Sequence, residues 1–431
     1  MSSLRLGSLR LDARVAGLEP SATLAIQERS RALAKQGRDV VRLGLGQSPF
    51  PVPDVVVEAL RDHAREKDYL PVGGLEALRA AVAGYHEARH GIRARAEDVL
   101  VAPGSKELMF LLQIVHDGDL LIPTPAWVSY EPQARIVGRR PVLIHTRRED
   151  DYKLHAEQLD ALCRESREGS RVLILNYPSN PTGTTFSPDE LDAIAEVARR
   201  HEVVVLSDEI YGELHHEGAH ESIAKRYPEG TIISSGLSKW CGAGGWRLGT
   251  FVFPRELSHL RRAMAAVASE TYTSTSAPIQ YAAVRAFERG EAIDRYLASS
   301  RAIVSGLARA STALLRQGGA ELPEARGAFY VYPDFEAHRA RLARRGITSS
   351  PELAEALLEE VGVACLPGSD FGRPISELAL RLSLVDFDGA RALAAMAARD
   401  TSSPPDEDYL EQHCGRVLEA TRRIGVWMCA D

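Results

Sequence analysis

A strand, a loop, a helix and a second strand run without interruption between Val172 and Leu206, and no other stretch limits the fold as tightly. Residues 172–175 form an apolar, β-rich run, followed by a loop of Asn, Pro, Ser, Thr and Gly reaching Phe186. Ser187-Pro188-Asp189-Glu190 then combines an N-cap, a proline at the first helical position and a capping-box glutamate. The helix is expected to end near Arg200, and Val203-Val204-Val205-Leu206 is the next strand. A crossover of this kind is nearly always right-handed and leaves its strands parallel, so their C-terminal ends open on one edge. Ligands bind at that edge in open α/β sheets. Asn180 and Asp208 both fall there.

The middle of the chain keeps alternating short β-rich runs with helical stretches, which predicts a parallel sheet covered on both faces. Residues 99–102 read as a strand and 106–116 as a helix with Leu108, Leu111, Leu112 and Val115 on one stripe. Gly104 and Ser105 between them sit at a helix N-terminus, where free N–H groups and the dipole attract phosphate. Read alone, Ser105 is a simple N-cap. Residues 291–317 read as one long helix leaving the sheet. Strands are then expected at 328–332, 363–366 and 378–384, alternating with helices at 351–361 and 389–398. A polar linker at 401–407 precedes a last helix from about Asp408 to Ile424. With 431 residues the chain exceeds one ordinary core. A large domain is expected at 54–310 and a smaller one built from 1–53 and 311–431.

Composition excludes several classes. Apolar residues at 45% and charged residues at 26% are those of a soluble globular protein. A net charge of −7 argues against a general nucleic-acid surface, and arginine-rich stretches such as 339–345 read as solvated helix faces. No run approaches the roughly 20 apolar residues of a membrane span. Five scattered cysteines (Cys163, Cys241, Cys365, Cys414, Cys429) argue for a reducing compartment, and against a disulfide framework or a zinc site. A cytoplasmic location is therefore expected, with Cys241 a packing residue. Residues 1–17 have a transit-peptide flavour, with one acid among Arg, Ser and Leu, but no apolar core follows and a helix pattern begins directly.

Chemistry concentrates between Gly236 and Gly249, which read Gly-Leu-Ser-Lys-Trp-Cys-Gly-Ala-Gly-Gly-Trp-Arg-Leu-Gly. Asp208-Glu209-Ile210-Tyr211 precedes that stretch, one residue after the 203–206 strand. An acid, an amine and an arginine in this order suit pyridoxal phosphate (PLP). Lys239 can condense with the aldehyde as a Schiff base. Asp208 can keep the pyridine nitrogen protonated, so that the ring withdraws electrons. Arg247 can neutralise the phosphate. Each residue means little alone; the set carries the reading, and it favours Ser105 as a phosphate donor.

With these blocks the chain resembles the class I/II aminotransferases, PLP enzymes of fold type I, and most of all the bacterial aspartate aminotransferase subgroup. The likeness spans nearly the whole chain, from Glu19-Pro20-Ser21-Ala22-Thr23 to Arg381-Leu382-Ser383. It implies an α/β fold: a large, mostly parallel seven-stranded sheet domain flanked by helices, and a smaller α+β domain. In Asn176-Tyr177-Pro178-Ser179-Asn180-Pro181-Thr182-Gly183, Asn180 matches the asparagine that bonds the cofactor's phenolic oxygen, and Tyr211 resembles its partner there. Trp127 in Pro125-Ala126-Trp127 matches the aromatic stacked on the pyridine. Tyr69, before Leu70-Pro71-Val72-Gly73-Gly74, matches the tyrosine given to a neighbouring subunit's phosphate, which implies a homodimer with shared sites. Arg381 matches the clamp on the substrate α-carboxylate, where a bidentate fork favours arginine. Gly46, in Leu45-Gly46-Gln47-Ser48-Pro49-Phe50, resembles a loop glycine whose backbone approaches the substrate. Two departures stand out: Gly236 replaces a phosphate-donating serine, and Tyr130 replaces a histidine that supports the aspartate in some relatives.

The resemblance implies transamination from an L-amino acid to a 2-oxo acid, with Lys239 moving the proton as base and acid and pyridoxamine phosphate as the intermediate. A β-eliminating lyase or a cyclising synthase would use the same apparatus. A PLP-binding regulator would need an attached DNA-binding helix-turn-helix, and the glycine clusters complete no dinucleotide-binding Gly-x-Gly-x-x-Gly. Substrate identity stays open. Lys106 either reaches an acidic side chain or faces solvent, while Phe50, Tyr130 and Tyr330 would favour a large apolar one. Acidic donors with 2-oxoglutarate as acceptor are the expectation.

Overall fold

The computed structural model describes residues 11–18, 22–165, 169–399 and 404–430. The strands, in chain order, are β1 (Val41–Arg42), β2 (Val99–Ala102), β3 (Asp119–Thr124), β4 (Arg140–His145), β5 (Arg171–Asn176) and β6 (Val204–Asp208), then β7 (Thr231–Gly236), β8 (Gly249–Val252), β9 (Tyr330–Val331), β10 (Val363–Ala364), β11 (Leu366–Pro367) and β12 (Leu380–Ser383). Seven of them make one sheet in the order β2-β8-β7-β6-β5-β3-β4. All neighbours in it are parallel except β8, which runs against both β2 and β7.

The β5–β6 crossover forms as its sequence dictates. Ser187 Oγ accepts from the Glu190 amide at 3.3 Å, and the Ser187 amide donates to Glu190 at 2.7 Å, so the capping box is closed. The helix Pro188–Arg200 buries Leu191, Ile194, Ala195, Val197 and Ala198. β6 starts one residue later than expected and runs on to Asp208, and its register sets Asp208 beside Asn176 of β5.

Alternation along the strands gives each face its own core. Val172, Ile174, Leu206 and Ile232 pack with Leu108, Leu111 and Leu112 of Ser105–Val115 and with Met264 of Ser258–Ser269. Leu173, Leu175 and Val205 point the other way, onto Leu159, Leu191 and Ile194. A strand buried on both sides must be apolar throughout, as these are.

A second region is built from the chain's two ends. β1 pairs with β10, and β11-β12-β9 form a three-stranded antiparallel sheet. Helix Glu291–Gln317, found at its expected bounds, contributes Ile303, Leu307 and Leu315 to a core with Leu380, Leu382 and Ile424. The strands here are shorter than expected. The 363–366 run divides because β10 joins one sheet and β11 the other, with Cys365 between them. The 351–361 helix begins at Ser350, and its last turn widens into a π-turn before Gly362, whose φ of 72° stops it. The last helix is longer than expected, Glu407–Cys429, because Met428 is still buried. Residues 1–10, 19–21 and 401–403, parts of the N-terminal, resemblance and linker segments discussed above, lie outside the described residues.

Candidate active site

At the C-terminal edge of the large sheet lies a cavity of ≈ 510 Å³, roofed by Leu45, Gly46, Tyr330 and Arg381 of the second region. The first turn of Ser105–Val115 enters it from β2. β2 lies against β8 with Ala102 opposite Gly249, and a side chain at 249 would stand 2.0 Å from the Ser105 amide nitrogen. Glycine two residues after Arg247 therefore lets that helix N-terminus reach the site. Arg247 adopts φ 56°, an uncommon setting for a side-chain-bearing residue, and a side chain at Gly104 would stand 2.3 Å from its Nη2. Its guanidinium donates to the Gly244 and Pro103 carbonyls at 2.9 and 3.3 Å and has no acid partner among the described residues. Helix N-terminal N–H groups beside a guanidinium that has no acid partner among the described residues form an anion cradle.

Asp208 ends β6 and is 3% exposed. Tyr130 Oη donates to its Oδ2 at 2.5 Å, and Ser234 Oγ, from neighbouring β7, donates to Oδ1 at 3.2 Å. Burial pushes its pKa up to about 6, against the pull of those two hydroxyls. Tyr130 thus supplies the support that its replacement of histidine had put in question. Gly236 ends β7, where a side chain would meet the Leu248 carbonyl oxygen at 2.6 Å; the strand pairing leaves no room for serine. Ser238 lines the cavity instead. The sequence reading passed over it, although its place directly before Lys239 was a usable signal.

Lys239 Nζ lies in the cavity, donates to the Gly46 carbonyl at 2.7 Å and sits 5.5 Å from the Tyr211 ring centroid. Desolvation, and secondly Arg381, lower its pKa to about 8, so the free amine is accessible near neutrality. Arg381, on β12, is 1% exposed and makes no ion pair among the described residues. Its Nη1 donates to Asn180 Oδ1 at 3.2 Å and its Nη2 to the Gly44 carbonyl, while Nε has no partner. The rings of Tyr330 and Phe371 stand 4.8 and 5.2 Å from the guanidinium carbon. A buried cation so placed is completed by a bound anion. Gly46 is required by close approach: a side chain there would stand 2.0 Å from Tyr330 Oη.

Half-buried Trp127 meets the Tyr130 ring edge-on at 5.2 Å, and Lys106 Nζ lies 5.0 Å from the Trp127 centroid. Lys106 therefore faces the cavity, where burial and Arg247 lower its pKa. Tyr69 is not brought to this cavity; it is 89% exposed. Phe50 is a correction. It is 4% exposed and packs edge-on against Tyr296 and Phe387, so it does not line the site, whereas Tyr130 and Tyr330 do. Cys241 is fully buried in the core, as a packing residue should be. Thr23, Leu24 and Gln27, from helix Ala22–Lys35, line the mouth and were not foreseen.

Residues 38–395 match the family model described as aminotransferase class I and II. The chain is 35% identical over 375 residues to an aspartate aminotransferase of Geobacillus stearothermophilus, covering 85% of this chain and 93% of that one. It is 34% identical over 376 residues to an asparagine–oxo-acid transaminase of Streptococcus mutans, with the same coverages. Among solved structures, the Thermus thermophilus aspartate aminotransferase with maleate superposes with a TM-score of 0.81 at 29% identity, over 96% of this chain and all of that one. Fold, site chemistry and these likenesses agree, and the chain belongs to the class I and II aminotransferases.

Proposed function

We propose that this protein transfers an amino group from an L-amino acid to a 2-oxo acid with pyridoxal phosphate as cofactor. One observation carries the reading: an amine with a pKa of about 8 and an arginine without an acid share one cavity with a buried aspartate. The residues fit the cofactor on charge and shape. Arg247, Ser105 and the helix N-terminus behind Gly104 offer an anion cradle at one end, and Asp208 a carboxylate at the other. When bound, the cofactor supplies an electron sink for the charge that develops at the substrate Cα.

The chain's own groups supply the rest. Asp208, kept in place by Tyr130 and Ser234, would hold a proton on the pyridine nitrogen. Trp127 would cover the ring face, and Asn180 and Tyr211 would donate to the phenolic oxygen. Arg381 takes the substrate α-carboxylate and orients Cα toward Lys239. Lys239 Nζ removes the Cα proton and would deliver it to the cofactor's C4′ in the same half of the reaction, and in the second half it would carry a proton the opposite way, to the Cα of the new amino acid. Lys106, beside Trp127, meets a second carboxylate, so acidic donors with 2-oxoglutarate as acceptor form the preferred class. In a cytoplasmic homodimer, exposed Tyr69 would reach the partner's phosphate cradle. The domain division at 53/54 and 310/311 is part of the same proposal; Pro53 directly precedes helix Asp54–Asp62, and 310 falls inside Glu291–Gln317.

A panel of amino donors against 2-oxoglutarate, scored for oxo-acid release, tests this. Acidic donors are expected to lead. If no donor transaminates while amino acids still change the cofactor absorbance, a lyase replaces the present reading.

A further inference from the structure

Tyr330 sits where three parts of the site meet. It is 1% exposed and its Oη lies 2.6 Å from Tyr211 Oη. Its ring stands against the Arg381 guanidinium at 4.8 Å, and its hydroxyl fills the space above Gly46, whose carbonyl holds Lys239. The charged groups facing this tyrosine pair are Arg381, Asp208 and Lys239. Apart from Tyr211, no hydrogen-bond partner of Tyr330 Oη is found among the described residues.

Two hydroxyls sharing one short contact hold two protons between them, and only one lies on the line joining the oxygens. If Tyr211 donates toward Tyr330, its proton is spent and it offers the cavity only lone pairs. If Tyr330 donates toward Tyr211, the Tyr211 proton is free to point outward, and the accepted bond polarises Tyr211 into a stronger donor. Resting on the cofactor reading given above, we propose that Tyr330 is a positioning residue. It donates to Tyr211, turns the Tyr211 proton onto the cofactor's phenolic oxygen, and links that bond to the Arg381 clamp through its ring. The neighbouring cation favours this order, because a positive charge against Tyr330 makes its hydroxyl the better donor of the pair.

The test is an absorbance titration of the loaded protein, without substrate, in wild type, Tyr330→Phe, Tyr211→Phe and the double variant. Weakening the donor on a phenolic oxygen raises the pH at which the bound chromophore loses its proton. Tyr330→Phe is expected to raise that midpoint by roughly half a pH unit. Tyr211→Phe should raise it further, and the double variant should match Tyr211→Phe alone, since Tyr330 acts through Tyr211. Phenylalanine keeps the ring beside Arg381, so KM for the amino donor should stay within about twofold, whereas Tyr330→Leu should raise it several-fold. A Tyr330→Phe midpoint equal to wild type, or additive shifts in the double variant, overturns the proposal. A wild type that binds no chromophore overturns the cofactor reading instead. Should Tyr330→Phe fold poorly, 3-fluorotyrosine in place of Tyr330 keeps the shape and makes the hydroxyl a stronger donor, so the midpoint should fall, and an unchanged midpoint there overturns the proposal.

Discussion

One wall of the cavity is made of strand ends and the other of segments with little regular structure. On the sheet side, Asp208 is the last residue of β6, and Asn180, Lys239, Ser105 and Trp127 all follow within four residues of a strand end. Their positions are set by backbone ladders buried on both faces, before any of their side chains makes a contact. Opposite them, Gly46 lies in a loop, Tyr330 on a two-residue strand and Arg381 on a four-residue one. Side chains hold this wall together: Arg381 donates to Gly44, its guanidinium lies between Tyr330 and Phe371, and Tyr330 rests on Gly46. The first wall can lose a functional group and keep its shape. On the second wall, the groups that bind are also the scaffold.

Removing Lys239 should show the first behaviour most clearly. Lys239→Ala is expected to cost at least about 10⁴-fold in turnover, since general acid–base transfer and amine condensation are lost together. The fold and the retention of cofactor should survive, because the phosphate and ring contacts come from other residues. Steady-state rates beside cofactor absorbance after dialysis check this. Activity within tenfold of wild type would take the amine out of the chemistry.

Arg381→Ala should show the second behaviour. Truncating one partner of a buried charge interaction costs about 2–5 kcal/mol, so kcat/KM should fall roughly 30- to 4,000-fold, mainly through KM. Arg381→Lys should recover little, because an ammonium lacks the planar fork. The wall should also loosen: the Tyr330–Tyr211 contact loses the cation beside it, so the cofactor absorbance midpoint should move without substrate present. If only KM changes, the two walls are more independent than their contacts suggest.

What could be read in the sequence follows the same division. The sheet wall was legible because continuous apolar strand runs, a capping box and glycines at turns each leave a local mark, and the 188–200 helix was found at its bounds. Lys239, Asp208, Arg247 and Ser105 could be placed from those marks. The facing wall leaves none. A two-residue strand has no periodicity, and β10 and β11 split between sheets at Cys365 for reasons that lie in distant partners. Arg381 and Gly46 were reached only through family resemblance. Phe50 was misplaced because an aromatic near a site glycine looks the same in sequence whether it faces the cavity or the core. Ser238 is hidden in the sequence because the expected donor position is Gly236, whose lack of a side chain reflects the Leu248 carbonyl behind it.

Lys106 sharpens the comparison at intermediate size. It lies on the sheet wall, within the first turn of Ser105–Val115, yet the role proposed for it is to read the substrate side chain. Lys106→Met keeps the length and packing over Trp127 and removes the charge. Dicarboxylic donors should lose roughly tenfold in kcat/KM, while neutral donors change less than about twofold. Equal losses on both would return Lys106 to the phosphate cradle, where Arg247 already lies near it.

The smallest expected effect is at Tyr130, and it turns on sign. Asp208 is raised to about 6 by burial, and the Tyr130 hydroxyl is the largest influence opposing that rise. Tyr130→Phe removes a donor to the charged form, so the Asp208 pKa must go up and the carboxylate must protonate at higher pH. Asp208 is needed ionised, so the acid limb of log kcat/KM should move toward neutrality by about one pH unit, while the rate on the alkaline side barely changes. At neutral pH the loss is then only a few-fold. Ser234 should keep the aspartate oriented, since its bond to Oδ1 is untouched. A pH–rate profile from about pH 5 to 9 separates the possibilities. An unmoved acid limb would mean that Tyr130 serves packing against Trp127 alone, and that the aspartate's charge is fixed by its strand neighbours without help from the helix opposite.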